Sequence, residues 1–325
     1  MPMRGMGWLC VVGVVFSGQA MALCSVVTTT PASFGSISSM TVRTAAQASS
    51  TANAGLSCTS ALISLLVSSD HFYATITSSN TGMVGPTGDV IGYTIYGSNS
   101  TSFPITRGTQ FEFGGAGGIA QGIGLIAGPG TKTVPLYVSS ITGSNVAAGL
   151  YTETLNIAWN WNYCSGIGIG GICLGRDIGS GTAALTVSMT VTNDCQITAP
   201  NISFGSAPVV SGFSAVTGQA SMSCTRGSAY SVGLSDGQNP LSVGGRRRMV
   251  SGGNYLAYDI FKSAGTTRWG SVGAARRDSS TAEINPGNGL GTGSQVFNYN
   301  ARVYTDQNTP PAGTYLDNVV LDVGF

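Results

Sequence analysis

Charge is scarce in this 325-residue chain: 14 Lys and Arg stand against 13 Asp and Glu, 8% of all residues, for a net charge of +1. A nucleic-acid partner calls for a basic surface with interleaved aromatics, which this composition does not supply. Lysine and glutamate are rare and no long leucine-rich pattern recurs at 3.6-residue spacing, which argues against helices. The single histidine, His71, leaves little for acid–base chemistry. No two cysteines form a C-x2-C pair, so a zinc site is unsupported. The only long apolar run, Trp8 to Phe16, falls short of the roughly 20 residues that cross a bilayer.

What the chain has instead is glycine, 48 residues of it, with abundant threonine, serine, valine and tyrosine. Short alternating runs bounded by Gly, Asn, Ser and Pro read as strands, and the fold class is all-β. One such run places Leu185, Val187, Met189 and Val191 on one face. Another ends the chain with Val319, Leu321, Val323 and Phe325.

The sequence also repeats itself. Cys24, Ser33-Phe34-Gly35-Ser36 and Cys58 are answered about 165 to 171 residues later by Cys195, Ser203-Phe204-Gly205-Ser206 and Cys224. Tyr93-Thr94-Ile95-Tyr96 matches Tyr258-Asp259-Ile260-Phe261, and Ala148-Gly149-Leu150-Tyr151 matches Ala312-Gly313-Thr314-Tyr315. A repeat of this length is a whole domain, so the chain is expected to be two tandem β-sandwiches.

Arg4, the apolar run and Ala20-Met21-Ala22 have the form of a secretory signal, residues 1–22, cleaved before Leu23. Its removal takes Cys10 and leaves six cysteines bound for an oxidising compartment. Six allow fifteen pairings, and the repeat selects Cys24–Cys58 and Cys195–Cys224, leaving Cys164 and Cys173 to each other. Each of the two long bridges closes about 30 residues, worth about 3–4 kcal/mol in the chain-entropy model.

Catalytic signals are weak. Ser68-Ser69-Asp70-His71 is contiguous, whereas triads assemble across a fold, so His71 reads as a turn residue. Gly166-Ile167-Gly168-Ile169-Gly170-Gly171 matches a dinucleotide fingerprint only as a string, with no βαβ context. The arginine runs Arg246-Arg247-Arg248 and Arg276-Arg277 are expected to pair with nearby Asp residues or face solvent. No cofactor and no enzymatic role follow.

Two glycine-rich stretches carry apolar residues without charge. Gly114 to Gly130 holds Ile119, Ile123, Leu125 and Ile126; Cys164 to Cys173 brackets Ile167, Ile169 and Ile172. Glycine this dense favours loops, and exposed apolar loops mark contact sites. Alternatively the loops fold back and bury these side chains, and a Cys164–Cys173 bridge staples the linker.

The second half resembles the spore coat protein U domain family, the subunit domain of archaic, Csu-type chaperone–usher pili. Cys195, Phe204-Gly205, Cys224, Arg248-Met249, Tyr258, Trp269-Gly270 and Pro311-Ala312-Gly313-Thr314-Tyr315-Leu316-Asp317 carry the resemblance. The first half is similar to a diverged copy that lacks the Arg-Met motif. The resemblance implies immunoglobulin-like pilin domains, the C-terminal one an incomplete sandwich that accepts a donor strand. It implies as partners a periplasmic pilus chaperone, an outer-membrane usher and an adjacent pilin subunit. The tail Val319, Leu321, Val323, Phe325 is then the edge that meets the chaperone or donor strand; otherwise it is a normally paired last strand.

Only Leu23 precedes Cys24 after cleavage, so the chain is expected to receive a strand without giving one, as a subunit at the pilus tip does. Leu185 to Val191 is expected to open the second domain. The resulting layout is an adhesin domain at 23–181 and a pilin domain at 182–325. Its expected role is a secreted tip adhesin that mediates surface attachment and biofilm formation. Its target is an external hydrophobic surface or host ligand, gripped by the apolar loops. A sugar-binding tip would instead use Trp159, Trp161 and Tyr163, and a structural tip initiator or coat subunit would bind nothing outside.

Overall fold

Cys24 is bonded to Cys58 and Cys195 to Cys224, and around each bridge the chain builds one β-sandwich lobe. The computed structural model describes residues 24–60, 71–100, 102–114, 130–169 and 172–325, with backbone alone at 60, 130, 164–169, 172 and 174. The expected signal segment and Ile119, Ile123, Leu125 and Ile126 lie outside the described residues.

In the first lobe the strands are β1 (Cys24–Val26), β2 (Ala32–Ser38), β3 (Ala52–Ser60), β4 (His71–Thr77), β5 (Met83–Val84), β6 (Val90–Ile91), β7 (Tyr93–Tyr96), β8 (Pro104–Ile105), β9 (Gln110–Glu112), β10 (Gly130–Ser140), β11 (Gly149–Ile169) and β12 (Ile172–Thr192). One short helix, α1 (Ser39–Thr44), follows β2, capped by Ser38. The second lobe has β13 (Cys195–Thr198), β14 (Val216–Cys224), β15 (Ser231–Leu234), β16 (Arg247–Ser251), β17 (Asn254–Lys262), β18 (Arg277–Asp278), β19 (Gln295–Val303) and β20 (Leu321–Gly324).

The lobes share one plan and differ at one edge, where β8 follows β7 in the chain but β16 precedes β17. One sheet runs β1-β3-β10-β7-β8 in the first lobe and β13-β14-β19-β17-β16 in the second. The facing sheet is β2-β12-β11-β4-β9 in the first lobe, against β20-β15-β18 in the second. Alternation places Leu56, Phe72, Trp159 and Leu185 inside one sandwich and Met222, Ile260, Trp269 and Phe297 inside the other. Both lobes also fix the turn into the last shared strand by the same device, a tyrosine hydroxyl bonded to a carbonyl four residues back. Tyr151 donates to Ala147 O at 2.8 Å and Tyr315 to Pro311 O at 2.7 Å. Polar contacts join the lobes: Ser39 Oγ and Thr225 Oγ1 are 2.7 Å apart, and Arg226 pairs with Asp89.

Several expectations need correction. Leu185, Val187, Met189 and Val191 do not open the second domain; they lie in β12 and are buried in the first core, because β11 and β2 flank that strand. A division at 181/182 therefore cuts β12, and the change of core falls near Asn193 and Asp194. Residues 164–169 and 172–173 are not loop: their backbone belongs to β11 and β12, with Ile167 opposite Leu174 and Ile169 opposite Ile172. Cys173 is disulfide-bonded, while the side chain of Cys164, its expected partner, lies outside the described ones. His71 is a strand residue stacked on Tyr73 at 4.4 Å. Trp159, Trp161 and Tyr163 form no exposed platform, being 2%, 6% and 0% exposed inside the core. Arg246 pairs with Asp306, Arg247 with Asp259 and Arg276 with Asp322, as expected; Arg277 pairs instead with Glu283, and Arg248 donates to the carbonyls of Asn239 and Pro240.

Candidate functional site, an apolar groove in the second lobe

The difference between the two facing sheets makes the site. In the first lobe β12 lies between β11, antiparallel to it, and β2, parallel to it. Among the described residues no strand holds the corresponding place in the second lobe. What remains there is a groove of about 430 Å³ between residues 199–204 and 315–321, floored by Ala220, Leu234, Met249, Tyr258, Ile260, Trp269 and Tyr299.

Both rims of the groove leave backbone groups unpaired, the first along its length and the second at alternate residues. The segment around Ser203-Phe204-Gly205-Ser206 keeps the local conformation of its twin: Gly35 and Gly205 have φ of 71° and 73°, and Ser33 and Ser203 each accept a hydrogen bond from the glycine two residues on. The twin pairs with β12 and is a strand; residues 199–206 have no ladder partner and are irregular. The same sequence is thus strand or coil according to whether a neighbour satisfies its amides.

On the opposite rim the hydrogen bonds alternate. Leu316 exchanges backbone bonds with Val250, and Val320 donates to Ser235 Oγ while accepting from Ser235 N. The N–H groups of Tyr315, Asp317 and Val319 have no such partner among the described residues. Successive residues of an extended chain turn their amides to opposite sides, so these three face the groove.

The groove floor is held by buried charge. Arg247 donates to Asp259 Oδ1 at 2.5 Å, Ser235 O at 2.8 Å, Leu234 O at 3.0 Å and Trp269 O at 2.8 Å, which occupies four of its five N–H donors. Arg268 also reaches Asp259, at 3.0 Å, and Asp236, at 2.9 Å. Asp317, on the wall, accepts from Tyr258 Oη and from Gln238 N, each at 2.8 Å. Burial first, then the bond to Asp317, pushes the Tyr258 phenol well above its ordinary pKa. With its carboxylate so engaged, the wall presents mainly hydrocarbon. The arrangement suits an extended apolar strand; among the described residues no cluster of His, Cys, Asp or Glu offers a metal site.

Of the expected tail, Val319 and Leu321 line the groove. Leu321 and Val323 also pair with Leu234 and Val232 of β15, and Phe325 lies past the strand, 6.4 Å from the Tyr230 ring. The residues that carried the family resemblance converge here: Phe204, Met249, Tyr258, Trp269, Tyr315 and Asp317 all line the groove. Sequence reasoning missed Ile202, Ala220, Ile260 and Tyr299; their signal was alternation, which is common to every core strand.

The spore coat protein U domain model matches residues 12–158 and 181–322. No curated protein matches the chain at significance. Among solved structures, the chain is similar to the CsuC–CsuE chaperone–tip adhesion subunit pre-assembly complex of archaic Csu pili from Acinetobacter baumannii. Identity there is 27% over 93% of this chain and 100% of that one, with a TM-score of 0.62. The CupB6 tip adhesin from Pseudomonas aeruginosa is 14% identical over 93% and 94% of the two chains, with a TM-score of 0.29, too low to add to the comparison.

Proposed function

The chain belongs to the spore coat protein U domain family, and on that premise we propose that it is the tip adhesin subunit of a chaperone–usher pilus, anchored through the groove of its second lobe. The carrying observation is the contrast between twin lobes, one closed by its own β12 and one open at the same place. The likeness to the CsuC–CsuE complex over nearly the whole chain supports the assignment. Four apolar residues of a donated strand, at about 1.5–3 kcal/mol each when buried, rival the 5–15 kcal/mol that stabilises a typical domain. An open groove of this kind calls for a periplasmic chaperone that lends a strand, an usher that exchanges it and an adjacent pilin that replaces it.

The first lobe then contacts the target and the second holds the fibre. Attachment rests on Ile119, Ile123, Leu125 and Ile126, with Ile167, Ile169 and Ile172 at the hairpin end, against a hydrophobic surface or host ligand. Binding by such residues is driven by water release and is insensitive to salt. In a piliated strain, the double substitution Ile123→Ser and Leu125→Ser is expected to abolish attachment and biofilm formation while fibre number stays normal. Unchanged attachment would make the subunit a structural initiator with no outside ligand.

A further inference from the structure

The first lobe states what the second-lobe groove accepts, because the two are built on one plan. The repeat aligns Tyr151, Glu153, Leu155 and Ile157 of β11 with Tyr315, Asp317, Val319 and Leu321. In the first lobe these four face Met189, Val187, Leu185 and Ala183 of β12, and further along Trp159 faces Gly181 and Trp161 faces Gly179. Read in chain direction, the inward face of β12 therefore grows: Gly179, Gly181, Ala183, then Leu185, Val187, Met189.

Sterics dictate that order. A Cβ on Gly179 would stand 2.4 Å from the Trp161 ring, and one on Gly181 would stand 2.6 Å from Val26 Cγ2. The sandwich is thus filled at the hairpin end by Trp161 of the neighbouring β11 and by Val26 of the facing sheet, and at the other end by β12 itself. In the second lobe the groove is lined from Tyr315 to Leu321 and does not extend to Val323 or Phe325, so it ends on the side that corresponds to the small residues of β12. The carboxylates fit this plan too. Glu153, opposite Val187, is held by Arg107 at 2.5 and 3.0 Å, and Asp317 is held by Tyr258 and Gln238; each is satisfied within its own lobe and asks for no charge from the strand across it.

We infer that the second-lobe groove selects its donor by a size gradient. The donor strand runs antiparallel to residues 315–324 and parallel to 199–206, with a small residue opposite Leu321 and large aliphatic residues opposite Val319, Asp317 and Tyr315. This rests on the strand-acceptor reading above. The occupant is the strand of a neighbouring subunit, and its inward positions read small, large, large, large from N to C; the sequence of β12 satisfies that rule.

The test extends the full mature chain beyond Phe325 with a short Gly-rich turn and a copy of residues 179–192. A second version carries the six inward residues in reversed order, and a third carries serine at all six. The same three sequences, added as free peptides during refolding, give a readout free of linker geometry. In calorimetry the copied strand is expected to raise the second-lobe midpoint by roughly 10–20 °C over the serine version, and the reversed strand by less than half of that. Equal shifts from the copied and reversed strands would overturn the gradient and leave the acceptor reading standing. No shift from either, fused or free, would overturn both.

Discussion

Placing β12 in the first lobe is a claim about which core it stabilises, and truncating its inward side chains tests it. Leu185 and Met189 are 0% and 1% exposed, and each faces β11 across the ladder, at Leu155 and Tyr151. Truncation of a buried Leu or Met to Ala costs about 2–5 kcal/mol, lost transfer energy plus an unfilled cavity. The two sites are about 13 Å apart along the strand, beyond the range at which such losses couple strongly. The double variant Leu185→Ala, Met189→Ala should therefore lose about 4–10 kcal/mol, comparable with the whole stability of a domain. Urea unfolding followed by fluorescence separates the lobes, because Trp159 and Trp161 lie in the first core and Trp269 in the second. The first-lobe transition should move to much lower urea or vanish, with the Trp269 transition unmoved. A loss confined to the second transition would refute the placement and restore 185–191 to the second domain.

Acid should unfold the first lobe partly through Glu153. Burial would raise its pKa, but the Arg107 fork outweighs burial and holds it below the ordinary carboxylate value. Its stabilisation is complete above the unfolded pKa of about 4.3 and is lost as pH falls through the lower folded value; unfolding midpoints measured from pH 6 to 2.5 should show that decline, and Glu153→Gln should flatten it. The two tyrosine hydroxyls should differ in weight. Tyr151→Phe leaves a buried carbonyl unpaired and should cost about 1–3 kcal/mol in the first lobe, whereas Tyr315→Phe, whose hydroxyl is solvent-accessible, should cost about 0.5–1.5 kcal/mol in the second; urea midpoints compare them.

Much of this architecture was legible because two signals survive in any β-sandwich: the cysteine spacing and the alternation of buried residues. The pairing of Cys24 with Cys58 and of Cys195 with Cys224 followed from the repeat alone. Alternation could not say to which core a strand belongs. Leu185 to Val191 shows the same pattern whether it closes one sandwich or opens the next, and only its pairing with β11 and β2 decides. Glycine misled at Gly166 and Gly168, which lie within β11, Gly168 facing Cys173 across the ladder. Trp159, Trp161 and Tyr163 alternate with Asn160 and Asn162, a strand period that marked them as one face but not as the inner one. The groove is a property of what is absent between two rims, and no residue type announces that.

Hydrogen exchange measured on one sample compares the twin segments directly. The amides of residues 32–38, paired to β12, should be protected in the free chain, whereas those of 199–206, and of Tyr315, Asp317 and Val319, should exchange quickly and become protected when the chaperone or a donor-strand peptide is bound. Equal protection of both segments in the free chain, unchanged by either partner, would contradict the open-groove account.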